Sequence, residues 1–192
     1  MRRMGRSAAT AAKRTHMTRG QRADHATAYH EAGHAVAAYF LRRVGKVRCV
    51  SIIPDSERET VGHTAHWSTP AFWRALNRGE WPDHARCRFE DEVVVLLAGG
   101  SAERRFAGRA DHIGARSDYE KAADFAIAAT GSKRAANAFL RWLQVTTEDL
   151  VTLRWPAIQA VAAALVEHKR LSGACVRKVI FDGSGNAPPR NE

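Results

Sequence analysis

The chain has 192 residues, of which 45% are hydrophobic, and a formal net charge of +10. This length and composition predict one domain with a hydrophobic core, and no apolar run is long enough for a transmembrane segment. The three cysteines are scattered and odd in number, which argues against a disulfide framework and favours a cytoplasmic setting.

The positive charge is concentrated at the N-terminus. Residues 1–22 carry seven Lys or Arg and no acid, whereas the rest of the chain carries 23 basic and 20 acidic residues. We therefore predict a basic, disordered arm over residues 1–22, a folded domain over residues 23–182 and a disordered tail over residues 183–192. The near-neutral domain argues against a nucleic-acid-binding protein, beyond weak contacts made by the arm.

The first predicted helix runs from Asp24, the expected N-cap, to Arg43 and contains an HExxH motif. Residues four apart lie on one face of a helix, so His30 and His34 can bind one Zn²⁺ together. Glu31 lies beside them and can act as the general base on a zinc-bound water. Two surface histidines are the simpler alternative, but this helix is apolar, and buried histidines need partners such as a metal.

A β-hairpin is predicted after this helix. Residues 47–54 are rich in β-branched side chains and end at Pro54, and residues 61–67 are the expected return strand. The resulting small sheet would lie beside the zinc helix, where its edge could bind an extended peptide by strand addition.

The remaining chain is predicted to be helical. We expect a loop at 108–114 and helices over residues 71–77, 88–105, 117–130, 133–145, 147–169 and 172–181. Ser117 and Glu120 form a predicted capping box, which places Asp118 in the first turn of its helix, where the helix dipole favours a carboxylate. Pro156 is expected to interrupt the segment 147–169, and Ser172 to cap the last helix. The predicted fold class is mainly α (α+β), with a small β-hairpin or sheet beside the active-site helix.

A catalytic zinc site needs a third protein ligand and leaves a fourth position for water. The residues alone leave several carboxylates open: Glu57 and Glu59 lie on the predicted hairpin turn, and Glu103 lies near the end of a helix. Asp118 is a further candidate because of its predicted place at a helix N-terminus.

Five segments resemble the FtsH-type zinc peptidase domain. In chain order they are residues 29–35, 46–54, 96–103, 114–123 and 165–180. Together they place the resemblance over about residues 24–181. The resemblance implies a mainly helical fold with a small β element, Zn²⁺ as the metal, His30, His34 and Asp118 as its ligands, and Glu31 as the catalytic base.

The chain also departs from the pattern of that family. Asp55 stands where a basic residue usually follows Ile-Ile-Pro, and Ser117 stands where an Asn usually precedes the ligand Asp. The sequence contains no P-loop motif, so we expect a stand-alone peptidase domain without an ATPase module or membrane anchor. A hexameric ring is implied by the resemblance alone, and an ATPase, if one is used, would be a separate partner acting in trans.

The predicted function is that of a zinc-dependent endopeptidase whose polypeptide substrates are unfolded or small proteins. His63, His66 and Tyr119 are candidates for stabilising the oxyanion of the reaction. The alternative function is a non-catalytic, zinc-containing protein-interaction module related to peptidases. The intact Glu31 favours the enzyme, since a structural zinc site does not need a base.

Overall fold

The computed structural model describes residues 17–54, 62–66, 83–110 and 113–184. The helices in these residues are α1 (Arg19–Phe40), α2 (Asp83–Ala107), α3 (Ile113–Thr130), α4 (Lys133–Leu153), α5 (Trp155–His168) and α6 (Gly173–Ser184). The strands are β1 (Val47–Ser51), β2 (His63–His66) and β3 (Arg170–Ser172). This architecture confirms the predicted mainly helical fold with a small β element.

The three strands form one antiparallel sheet in the order β2-β1-β3. Val50 of β1 lies opposite Thr64 of β2 and Leu171 of β3. Since facing residues of an antiparallel sheet point to the same side, and Val50 and Leu171 are buried, Thr64 points to the helical side of the sheet. The predicted hairpin is confirmed, whereas β3 was not predicted.

Helix α1 lies at the centre of the fold, between α2, α5 and the sheet. Its buried face is lined with small side chains, including Ala28, Ala32 and Ala35, which are fully buried. A Cβ at Gly33 would collide with the carbonyl oxygen of Ala98 on α2. The two helices are therefore closer at Gly33 than any larger residue would allow, and the HExxH motif faces α2.

A second hydrophobic cluster holds α3 and α4 against α2. It is formed by Phe89, Val93, Val94, Leu97, Ala122, Ala126, Ala136, Leu140 and Leu143. Because α2 belongs to both packing regions, it connects α1 on one side with α3 on the other.

The start of α1 differs from the prediction. Thr18 is its N-cap: the Thr18 side chain accepts a hydrogen bond from the Gln21 backbone, and the Gln21 side chain accepts one from the Thr18 backbone. This capping box starts the helix inside the predicted arm, so residues 19–22 are helical and the predicted arm boundary at residue 22 was wrong. Asp24 is not the cap; its carboxylate instead pairs with the Lys169 ammonium at 3.0 Å.

The C-terminal limits of α1 and α6 also shift. Helix α1 ends at Phe40 rather than at Arg43, and Leu41 is its C-cap. Gly45 lies in the connection to β1 with a φ of 112°, a backbone conformation that favours glycine. Helix α6 continues to Ser184, two residues into the predicted tail.

Helix α3 begins at Ile113, four residues before the predicted N-cap Ser117. The predicted capping box of Ser117 and Glu120 was therefore wrong, because both residues lie inside the helix. Asp118 consequently lies in the second turn, where the dipole at the helix N-terminus has less influence.

The break predicted at residue 146 is absent, whereas the interruption predicted at Pro156 is confirmed. Helix α4 continues through residue 146 to Leu153, and α5 starts after Arg154. Pro156 lies in the first turn of α5, where its missing N–H costs no hydrogen bond. The predicted cap of the last helix is confirmed, since the Ser172 hydroxyl accepts a hydrogen bond from the Cys175 backbone.

Some predicted features lie outside the described residues. They are the arm over residues 1–16, the hairpin turn with Glu57 and Glu59, the helix at 71–77 and residues 185–192 of the tail. Within the described residues, no single helix is long and apolar enough to span a membrane. By length and composition alone, α4 and α5 would pass that test as a pair bent by 75°.

Candidate metal centre

Three predicted ligand residues lie together in the structure. His30 and His34 lie on α1 with their Nε2 atoms 3.0 Å apart. The Oδ2 atom of Asp118, from α3, lies 3.3 Å from the first of these nitrogens and 3.0 Å from the second. Their donor atoms could hold one metal ion between them. That they bind a metal remains a prediction, but the chain does bring together the residues that the prediction requires.

The two imidazoles are held from behind by acceptors on α2. His34 Nδ1 lies 2.7 Å from the Val95 carbonyl oxygen, and His30 Nδ1 lies 3.1 Å from the Glu103 carboxylate. A carbonyl oxygen only accepts hydrogen bonds, so His34 Nδ1 carries the hydrogen and its Nε2 presents a lone pair to the site. The Glu103 carboxylate can accept a hydrogen from His30 Nδ1 in the same way, so that Nε2 of His30 faces the site. Both histidines are thereby oriented as metal ligands.

The metal-free site attracts positive charge. Burial lowers the pKa of His30, but the hydrogen bonds with Asp118 and Glu103 outweigh burial and raise this pKa to about 9. Burial likewise raises the pKa of Asp118, but its contacts with His30 and His34 outweigh burial and hold this pKa well below its usual range. At neutral pH a protonated His30 therefore lies beside an ionised Asp118, so positive charge is favoured in the place where a metal cation would lie.

The donor set fits zinc. Two imidazole nitrogens and one carboxylate oxygen are the kind of ligands used by catalytic zinc sites, which keep a further position open. His30 and Glu103 are both buried, so their ion pair is shielded from solvent. We infer from this donor chemistry, and from the convergence of the three donor atoms, that the residues fit a Zn²⁺ ion.

Gly99 of α2 leaves space in front of the ligand nitrogens. A Cβ at this position would collide with His34 Nε2 and would lie 2.9 Å from His30 Nε2. Any larger residue would therefore occupy the region between the two imidazoles. Gly99 was not predicted as a site residue, although a Gly-Gly pair inside a helix is costly enough to be a signal.

The predicted base, Glu31, is buried and points towards β2. Its Oε2 atom accepts a hydrogen bond of 2.7 Å from the Thr64 hydroxyl. The Thr64 hydroxyl also lies 3.2 Å from the Glu31 carbonyl oxygen. Thr64 was not predicted as a site residue, because its contact with Glu31 depends on the pairing of β2 with β1.

The remaining candidates are placed as follows. Glu103 contacts Nδ1 of His30, the ring nitrogen on the side away from Asp118, and does not join the cluster of three donor atoms. His63 lies next to Thr64 on β2 and therefore points to the opposite face of the sheet. Tyr119 is half exposed beside Asp118, and the side chain of His66 lies outside the described residues. Among the described side chains, neither His63 nor Tyr119 has a contact that assigns it to the oxyanion.

Comparison with known proteins adds a family relationship. The sequence profile of Peptidase family M41 matches residues 17–131, which is more than half of the chain. "ATP-dependent zinc metalloprotease FtsH 1" of Symbiobacterium thermophilum is 28% identical over 186 residues, covering 84% of this chain and 30% of the relative.

Two further relatives are each named "ATP-dependent zinc metalloprotease FtsH". The protein of Thermus thermophilus is 35% identical over 100 residues, which cover 52% of this chain and 14% of the relative. The protein of Cupriavidus metallidurans is 32% identical over 101 residues, which cover 53% of this chain and 14% of the relative. The chain thus spans less than a third of the length of each of these relatives.

Proposed function

Because this chain belongs to Peptidase family M41, we propose that it is a zinc-dependent endopeptidase that hydrolyses peptide bonds of unfolded or small proteins. The observation that carries this proposal is the meeting of His30, His34 and Asp118 next to the buried carboxylate of Glu31. When bound, zinc would supply a Lewis acid that polarises the scissile carbonyl and lowers the pKa of water. His30, His34 and Asp118 would hold it.

Glu31 is the general base of the proposed reaction. Its carboxylate accepts a proton from the attacking water and delivers it to the leaving amine, so one group serves both halves of the hydrolysis. The side chain is 5% exposed, which keeps bulk water from competing for its oxygens. Because Glu31 follows His30 directly on α1, the base is fixed on the same rigid helix as two of the ligands.

Strand β2 is the proposed docking edge for the substrate. Within the described residues β2 pairs with β1, while β1 pairs with β3 on its other side. An extended polypeptide added along β2 would form main-chain hydrogen bonds, which suit many sequences. Since Thr64 of β2 contacts Glu31, such a peptide would lie near the base. Unfolded chains are the proposed substrates because only extended segments can bind in this way.

The proposal concerns peptide hydrolysis alone. The ATP dependence in the names of the relatives belongs to whole proteins of which this chain covers 30% or less. We propose a cytoplasmic location, and that a hexameric ring and any ATPase acting in trans are separable from the chemistry of the site.

The test combines zinc content with cleavage of an unfolded protein such as casein. Wild type is expected to bind one zinc ion per chain and to cleave casein. Glu31→Gln keeps the zinc ligands but removes the base, so it should retain zinc and lose at least about 100-fold in rate. Glu167→Gln, at an exposed position on α5, is the matched control and should behave as wild type.

Two outcomes would contradict the proposal. A wild-type chain that binds no zinc would remove its basis. A chain that binds zinc but never cleaves would instead be a non-catalytic zinc module.

A further inference from the structure

We propose that Thr64 is a positioning residue that fixes the Glu31 carboxylate for proton transfer. This inference rests on the proposed function only for the role of Glu31 as the base. Nothing in the HExxH motif itself holds the Glu side chain in one orientation, since Glu has several rotatable bonds and loses considerable entropy when it is ordered. A partner outside α1 is therefore needed.

The sheet register brings Thr64 to this position. Thr64 lies opposite Val50, which is fully buried against the helices, so its side chain points to α1. Its neighbours His63 and Ala65 must point to the other face, because side chains alternate along a strand. A shift of β2 by one residue would replace the Thr64 hydroxyl with an imidazole or a methyl group.

The hydroxyl contacts Glu31 at two points. It lies 2.7 Å from Oε2 and 3.2 Å from the Glu31 carbonyl oxygen. A hydroxyl has one hydrogen, and the shorter contact, to a carboxylate, is the stronger bond. With Oε2 engaged by Thr64, the other carboxylate oxygen is left to exchange the proton with the reacting groups.

Gly62, the residue before β2, also lies against the Glu31 carboxylate. A Cβ at Gly62 would lie 2.8 Å from Glu31 Oε1 and 3.0 Å from Glu31 Cγ. The Glu31 side chain therefore lies directly against the Gly62 backbone. Gly62 and Thr64 therefore both face Glu31. Gly62 leaves room for the carboxylate because it has no side chain, and Thr64 supplies a hydrogen-bond donor.

The test compares Thr64→Val with Thr64→Ser. Valine keeps the shape and the β-branch but removes the donor, whereas serine keeps the donor and loses a methyl group. We expect Thr64→Val to lower kcat for a fluorogenic peptide about 10- to 100-fold, because a small misplacement of a catalytic group is costly. The KM, the zinc content and the Tm should stay near wild-type values. Thr64→Ser should recover kcat to within about threefold of wild type.

A second variant, at Gly62, tests the position of the Glu31 carboxylate through a different contact. Gly62→Ala would push against Oε1 and Cγ of Glu31, so it should also lower kcat while zinc remains bound. A wild-type kcat in Thr64→Val would overturn the proposal. Equal losses in Thr64→Val and Thr64→Ser, together with lost zinc or a lower Tm, would overturn it in favour of a purely structural role.

A crystal structure of zinc-loaded Thr64→Val decides the inference independently of activity. A displaced or multiply oriented Glu31 carboxylate would support it, and an unchanged carboxylate would overturn it. If wild type does not cleave any peptide, the proposed function fails, but this structural comparison still decides whether Thr64 positions Glu31.

Discussion

Gly99→Ala is expected to abolish tight zinc binding while leaving the fold intact. The added Cβ would collide with His34 Nε2, and would lie 2.6 Å from His34 Cε1 and 2.9 Å from His30 Nε2. Favourable contacts to carbon lie at about 3.5–4.0 Å, so the methyl group is roughly 1 Å too close to both rings. The rings cannot retreat freely, since Glu103 and Val95 hold them from behind.

These contacts determine the expected losses of unfolding free energy and of zinc affinity. Overpacking costs about 1–3 kcal/mol, and replacing a helical glycine by alanine returns about 0.8–1.0 kcal/mol. The metal-free variant should therefore lose about 0–2 kcal/mol of unfolding free energy. Zinc–ligand distances tolerate only about 0.2 Å, so displaced rings should lower zinc affinity at least about 100-fold, or about 2.8 kcal/mol.

The assay is a chelator competition for the zinc dissociation constant, paired with urea unfolding in EDTA. Gly100→Ala is the matched control on the next residue of α2. Its Cβ would lie 3.3 Å from the Ala115 side chain and 3.7 Å from Arg104, away from the ligands. We expect the control to bind zinc as wild type does. Zinc affinity within threefold of wild type in Gly99→Ala would refute the argument, as would an equal loss in Gly100→Ala.

Two further predictions concern buried carboxylates of α2. Glu103→Ala removes the carboxylate that contacts His30 Nδ1. Zinc affinity should therefore fall about 10- to 100-fold in the same competition assay. An unchanged affinity would show that Glu103 does not orient the ring. Burial raises the pKa of Glu92 from 4.5 to about 7, although Arg88 nearby lowers it. The folded state therefore binds the Glu92 proton more tightly than the unfolded state does. The stability that this proton contributes is present below pH 4.5 and is lost as the pH rises through 7. Relative to Glu92→Gln, wild type should therefore lose on the order of 3 kcal/mol of unfolding free energy between pH 4.5 and 8, and urea unfolding that shows a constant difference would contradict this.

The approach of His30 and His34 could be predicted because it depends on local geometry. His30 and His34 are one helical turn apart, and that spacing follows from the helix alone. Asp118 could not be chosen over Glu103 from the residues, because both carboxylates reach His30 through packing of α2 and α3. Only the assembled structure shows that Asp118 contacts Nε2 of His30 and that Glu103 contacts Nδ1 of the same ring.

The errors at element ends have a similar cause. The N-cap of α1 is Thr18, whereas Asp24 was the predicted N-cap. The Asp24 carboxylate instead pairs with Lys169. Strand β3 has three residues between two helices and no periodic pattern of its own. It is a strand because Leu171 and its neighbours pair with β1. Such long-range pairing leaves almost no local signal in a sequence.

The pairing of β3 with β1 also has a consequence for biosynthesis. The HExxH helix leaves the ribosome before α5 and β3, yet it packs against α5, and its neighbouring strand β1 pairs with β3. A Cβ at Gly173 would collide with the Val47 carbonyl oxygen, so this late segment fits closely against the early one. The nascent chain therefore cannot complete its core until residue 172 has been made.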